Sequence, residues 1–414
     1  MGVSRTVLRL ALARPHVMVL QAVGGTRVRL AVDDELRRRG WPSALSPADT
    51  DVLVLAGAAG ARLAGTVRSL WRRVPEPRLF LHVEEAGEVP RLFDSVRDEL
   101  AGGGRQRSPL PESGADAGTT EENRGERRYS DSSGRRTASH GGTHGEAEGH
   151  EHHAGTAEGL AMAGRGPDRD GLALDRLHVP LGPPLPGWPP GLLVHTVLQG
   201  DVLQRVEAER LDDPDAEGEF WGEPWRHAAE GHRVTRGRAA RRVVAARLDS
   251  LAGLLTVVGW PDPAGLARRI RDETLAGGPG RRLRARIARL AGRLRRSRTL
   301  TWLTSDIGVL PTGRAHRAGF GGTVLRASRA GGDVAARWRE WLTEIERGAR
   351  EVDDTSALSG TTEAPAWVRS GPVLEVLPAL LEGAELSAAR LTVASLDPRG
   401  TGTPPDEGWG FSGA

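Results

Sequence analysis

A long stretch with almost nothing to bury divides this chain and limits what it can fold into. Across residues 101–166, Gly, Ser, Thr, Glu and Arg dominate, and apolar side chains occur only singly. Such a segment cannot offset the entropy of ordering its own backbone, so the sequence predicts a disordered tether. Residues 1–100 and 167–414 are then two separate folding regions. A chain of 414 residues is long enough to give each its own core. The hydrophobic content of 38%, with Gly 55 and Pro 27, agrees with part of the chain staying unpacked.

The first region reads as alternating strand and helix. Residues 17–21 form an apolar run before the Gly24–Gly25 turn, and residues 28–39 are helix-like. Asp51 to Gly57 encloses an uninterrupted aliphatic run, the pattern of a strand covered on both faces. A helix over 61–72, a strand over 78–83 and a helix over 89–100 follow. Repeated strand-then-helix order predicts a small parallel α/β fold. The glycine turns at 22–26 and 57–60 stand where phosphates bind helix N-termini, yet neither has the spacing of a dinucleotide or P-loop fingerprint. Plain turn geometry is the competing reading, and it is the one preferred here.

The second region opens on its most ordered stretch, residues 168–205. Leu172, Leu174, Leu177 and Val179 alternate with one break, which predicts a strand. Pro180, Pro183, Pro184, Pro186, Pro189 and Pro190 stiffen a connector, with Trp188 as its anchor. A strand over 192–198 ends at Gln199–Gly200, and Asp201 is placed to cap a short helix over 201–211 with Val202, Leu203 and Val206 inward. Phe220, Trp221 and Trp225 read as a hydrophobic anchor. Helices follow: one over 238–258 with a stripe from Ala240 to Val258, one carrying Leu266 and Ile270, one over 281–298, and one carrying Val334, Trp338, Trp341, Leu342 and Ile345. Residues 299–310 read as a helix end, His316 and 319–322 as loop, 353–363 as polar loop, 373–381 as helix around Pro378, and 390–395 as a terminal strand. The fold class predicted is a small parallel-sheet α/β domain, a disordered linker, and a mainly helical α+β domain.

Composition removes whole classes of chemistry. With Cys 0 the chain has no disulfide, no zinc–thiolate site, no cysteine-ligated iron–sulfur cluster and no cysteine nucleophile. The one tyrosine, Tyr129, lies in the tether, so the folded regions offer no phenol. All 57 basic residues are arginine and the net charge is +3, a pattern that reflects biased codon composition more than selection for a polyanion. No run of about eighteen apolar residues occurs, and 8–13 is only a short apolar run before Arg14, which predicts a chain kept in the cytoplasm or on the inner membrane face.

Two stretches carry a resemblance. The order from the 17–21 strand through the turn at Ala22, Val23, Gly24 and Gly25, then Ser46–Pro47 and the 51–57 strand, resembles the 20 kDa-type cluster-carrying subunit of respiratory complex I, shared with hydrogenase small subunits. The 168–205 stretch, the helix pair flanking Trp260 and the ending Ser395–Leu396–Asp397 resemble the 49 kDa-type subunit, a relative of hydrogenase large subunits. The resemblance implies two partner modules in one chain. It implies cluster cysteines in the first turn, where Ala22 to Gly25 stand, and in a later loop, where Val83, Glu84 and Glu85 stand. It also implies a quinone-facing tyrosine and histidine loop that cannot be placed. No catalytic or cofactor-binding residue is therefore inherited, and no cofactor is expected. His178 and His195 lie in the matched stretch and read as packing or hydrogen-bonded groups rather than ligands.

The tether carries His140, His144, His150, His152 and His153, near Glu146, Glu148 and Glu151. Neutral imidazoles favour Zn, Ni or Cu, so weak Zn or Ni binding competes with low-complexity drift as the reading. The arginine-rich face over 281–298 reads as solvated or partner-facing, with an anionic membrane surface next and nucleic acid last. Taken together, the sequence predicts a non-catalytic structural or assembly subunit whose partners are the other subunits of a membrane-associated oxidoreductase complex. Two alternatives stay open: an oxidoreductase component lending a quinone- or NAD-related surface, and a histidine-tract metal-handling or regulatory protein.

Overall fold

The computed structural model describes residues 13–102, 110–111, 165–167, 173–211, 219–359 and 370–397. Tyr129 and the five tether histidines lie outside them. The first region holds β1 (Val17–Gln21), α1 (Thr26–Arg39), β2 (Val52–Ala56), α2 (Ala61–Arg73), β3 (Leu79–Val83) and α3 (Val89–Ala101). The strands form one parallel sheet in the order β1-β2-β3, with Val17 opposite Val52 and Val52 opposite Leu79. All of β2 is buried, as its unbroken aliphatic run requires, because successive side chains feed opposite faces. Val17, Val52 and Val54 meet α1 and α3 through Val28, Val32 and Phe93. Met18, Leu53 and Leu55 meet α2 through Leu63, Val67 and Trp71.

The second region begins with a four-stranded antiparallel sheet, β4 (Arg165–Pro167), β5 (Ala173–Leu181), β6 (Leu192–Gln199) and β7 (Val202–Arg210), paired in that order. The helix expected over 201–211 is thus a strand. Gln199, Gly200 and Asp201 turn tightly, with Gly200 at a φ of 62° that suits glycine. Leu203 and Val206 are both buried although three apart, since the β6–β7 register shifts at Val197 and Leu198. That bulge puts an odd-spaced pair on one face, which in the sequence looks like a helical step. Trp188 anchors the proline connector as expected, and its indole N–H donates to the Leu192 carbonyl at 2.9 Å.

Helices follow: α4 (Glu219–Ala229), α5 (Arg236–Val257), α6 (Pro261–Leu275), α7 (Gly280–Arg295), α8 (Arg298–Thr304), α9 (Thr312–Arg317), α10 (Gly322–Arg329), α11 (Val334–Glu351), α12 (Ser370–Leu381) and α13 (Leu386–Leu396). Val244, Leu248, Leu251 and Leu255 of α5 pack on Ile270, Ile287, Leu290, Trp338 and Trp341 in the larger core. A second core joins the sheet to α12 and α13 through Val194, Leu203, Val206, Leu377 and Val393. Two further expectations fail in part or whole. His316, read as loop, lies in the short helix α9, whereas 319–321 is loop as expected and leads into α10 at Gly322; Ala315, Val324 and Ala327 of these helices are buried. The terminal strand at 390–395 is part of α13. This helix is buried over nearly every residue of its last two turns, and a fully buried helix shows no amphipathic period to separate it from a strand. No described helix is long and apolar enough to cross a membrane.

Candidate functional site

A cleft of about 480 Å³ lies where the two regions meet. The α/β region lines it with the start of α1 and the turn after β1, including Val23, Gly24 and Thr26. The helical region contributes the proline connector around Trp188, one face of α5, and the end of α13. Asp249, Ser250, Gly253 and Thr256 follow one another at helical spacing and share that α5 face. Gly187 lets the connector approach α5, because a Cβ there would stand 2.8 Å from the Gly253 carbonyl oxygen.

Local backbone sets the small region's wall. Gly25 and Gly57 press together at the ends of β1 and β2: a Cβ at Gly25 would lie 2.0 Å from the Ala56 carbonyl oxygen. These glycines allow close packing between the crossover turns. On the opposite wall, Asp397 closes α13 in a left-handed conformation with φ 43°, and its carboxylate accepts from the Ser250 hydroxyl.

Behind this wall, charged side chains stitch the regions together. Arg29 donates to Asp33 and to Asp249, each at 2.7 Å. Arg271, wholly buried, donates to Asp249 at 2.5 Å, Asp33 at 3.2 Å and its neighbour Asp272 at 2.8 Å. Arg37 reaches across to Asp272 and also holds Asp34. Burial pushes the Arg271 guanidinium down, but Asp249, Asp33 and Asp272 outweigh it and hold its pKa above the ordinary arginine value. Arg268 has the opposite balance. Burial depresses its pKa, aided by Arg271 and Arg29, and opposed by Asp33 and Asp249. A second stitch is Glu223 of α4, which accepts from Arg27 of α1 at 3.2 Å and from Arg242 of α5 at 2.7 Å.

The five histidines named in advance as metal donors lie outside the described residues. Among those described, no three His, Cys, Asp or Glu side chains group to hold a metal ion. His178 and His195 sit exposed on the sheet, with His195 Nε2 2.9 Å from Glu209, away from the cleft. The arginine face of α7 is exposed as expected, and several members are neutralised: Arg282 and Arg286 by Glu273, Arg284 by Asp353, and Arg295 by both oxygens of Glu346. Sequence reasoning missed the stitch. Its only trace was acidic and basic residues set directly beside buried positions, Asp249 after Leu248 and Arg271 after Ile270.

No protein-family model and no curated protein matches the chain. Among solved structures it is similar to a chain of the membrane-bound sulfane sulfur reductase (MBS), an archaeal respiratory membrane complex. The identity is 14% and the TM-score 0.39, over 54% of this chain and 96% of that chain.

Proposed function

We propose that the chain is a non-catalytic structural or assembly subunit of a membrane-associated oxidoreductase complex, of NADH-quinone-oxidoreductase-like or hydrogenase-like type, held at the cytoplasmic membrane face by its partners. One observation carries the reading. Two of the motifs that carry the resemblance, the turn at 22–25 and the ending at 395–397, are far apart in sequence yet contribute Val23, Gly24 and Asp397 to the same cleft. Val23 and Gly24 stand in the turn where a cluster-carrying relative would place thiolates, and the chain has no cysteine to replace them. The paired regions keep their mutual fit through arginine and aspartate, so the assembly surface survives where the redox ligands do not.

The test is purification of the tagged chain from gently solubilised membranes of its host, with mass spectrometry of stoichiometric companions and an iron and sulfide assay. Co-purification with membrane subunits and flavin or iron–sulfur proteins, with no iron on the isolated chain, is the expected result. Stoichiometric iron and sulfide on the isolated chain, or quinone-dependent turnover by the chain alone, would overturn it.

A further inference from the structure

The cleft holds an arginine with no ion pair among the described residues. Arg268 of α6 lines it, and the one hydrogen bond its guanidinium makes among the described residues is to the Thr256 hydroxyl at 2.8 Å. The nearby carboxylates of Asp33 and Asp249 are already engaged by Arg29 and Arg271. Its neighbour Arg269 also lines the cleft, is exposed, and has no ion pair among the described residues. A guanidinium drawn out of bulk water with no carboxylate in direct contact is costly, and the more distant Asp33 and Asp249 do not fully offset the burial of Arg268. The same cleft is lined by Trp188, Leu185 and the prolines of the connector, alongside the carboxylates of Asp33, Asp249 and Asp397, of which Asp397 accepts from Ser250. The volume of about 480 Å³ is in the range of small-molecule sites.

We propose that this cleft is a binding site for a small organic carboxylate, its head paired with the Arg268 guanidinium and its apolar body laid against Trp188. Arg268 is suited to the task because a planar guanidinium grips both oxygens of a carboxylate at once. Thr256 holds the fork in place, and Arg269 at the exposed side draws the anion in. The aromatic and proline walls select a ligand with an apolar body over a bare inorganic anion. This site stands apart from the proposed assembly role and needs no redox centre.

Isothermal titration of the purified full-length chain with benzoate tests it, with benzamide as the neutral isostere and inorganic phosphate as the anion without an apolar body. Benzoate should saturate one site, with benzamide and phosphate each weaker by about tenfold or more. Arg268→Leu should remove benzoate binding, while Arg268→Lys keeps the charge, loses the fork and falls between the two. Circular dichroism of each variant establishes that it is folded, and the benzoate–benzamide comparison on the unaltered chain stands whether or not a variant folds. Equal binding of benzoate and benzamide, phosphate binding as tightly as benzoate, undiminished binding by folded Arg268→Leu, or no benzoate binding up to about 10 mM would each overturn the proposal.

Discussion

The seam between the two regions and the interior of the helix bundle bury an arginine in opposite ways. At the seam, Arg271 is completely buried among Asp33, Asp249 and Asp272. In the bundle, Arg337 of α11 is 1% exposed and has no carboxylate in ion-pair contact among the described residues. It donates instead to the Ser395 hydroxyl at 2.6 Å and to the carbonyl oxygens of Gly332, at 2.9 Å, and Gly308. Burial lowers its pKa to about 10, with only partial opposition from Asp333. The difference teaches what each contact is for. Carbonyl acceptors come from turns the bundle has already folded, so Arg337 locks loops within one region. The carboxylates around Arg271 come partly from the other region, so this contact exists only when the two are correctly apposed. Buried ion pairs add little net stability against an apolar alternative, but losing one partner is expensive. The seam therefore gains specificity of fit more than strength.

Arg271→Met is the largest test of that contrast. It strands Asp33, Asp249 and Asp272 around an apolar side chain, and a loss of about 3–5 kcal/mol is expected in urea unfolding, with the α/β region released to proteolysis first. Arg337→Met should cost less, about 1–3 kcal/mol, because it removes an unpaired buried charge while leaving the Gly308 and Gly332 carbonyls short of a donor. Its unfolding should stay a single transition of the helical region, with the seam intact. If Arg337→Met proves the more damaging of the two, or if Arg271→Met unfolds both regions together, the distinction drawn here is wrong.

How much of this could be read in advance depends on how local the cause is. The parallel sheet was legible because residues 52–56 are aliphatic without a break, and α5, α7 and α11 because their buried residues recur at three and four. The β7 hairpin strand was not, since its bulge sets Leu203 and Val206 at a helical spacing. The end of α13 was not, since burial on all sides erases amphipathicity. For the cleft, Val23, Gly24 and Asp397 could be singled out as motif residues, but their meeting in space could not. The stitch depends on pairs more than two hundred residues apart, Arg29 with Asp249 and Arg37 with Asp272. Each reads alone as part of an ordinary charged helix face, and Arg268 gains its meaning only once its neighbours are seen to be occupied.

The smallest effect comes from a matched pair of carboxylates, Glu223 at the seam and Glu344 in the bundle. For both, burial pushes the pKa up and guanidinium partners overcome it: Arg242, Arg27 and Arg238 at Glu223, and Arg247 with the Thr323 hydroxyl and Arg326 at Glu344. Each folded-state pKa is thus below its unfolded value. The stability they contribute is full above the unfolded carboxyl pKa of about 4.3, and it is lost as pH falls through the lower folded value. Glu223→Gln and Glu344→Gln should each lower the unfolding midpoint at neutral pH, and the gap from the unaltered chain should close as the medium is acidified below about pH 4. The two variants should differ in where the loss appears. Arg27 belongs to α1, so Glu223→Gln should loosen the seam and speed proteolytic release of the α/β region. Among the described residues Glu344 forms its ion pairs with Arg247 and Arg326, both of the helical region, so its loss should leave that release rate unchanged. A gap that persists in acid would mean that the glutamates act through shape and hydrogen bonding, with charge secondary. Equal release rates would mean that the seam does not depend on Glu223 and is held by the arginine–aspartate contacts of Arg271, Arg29 and Arg37.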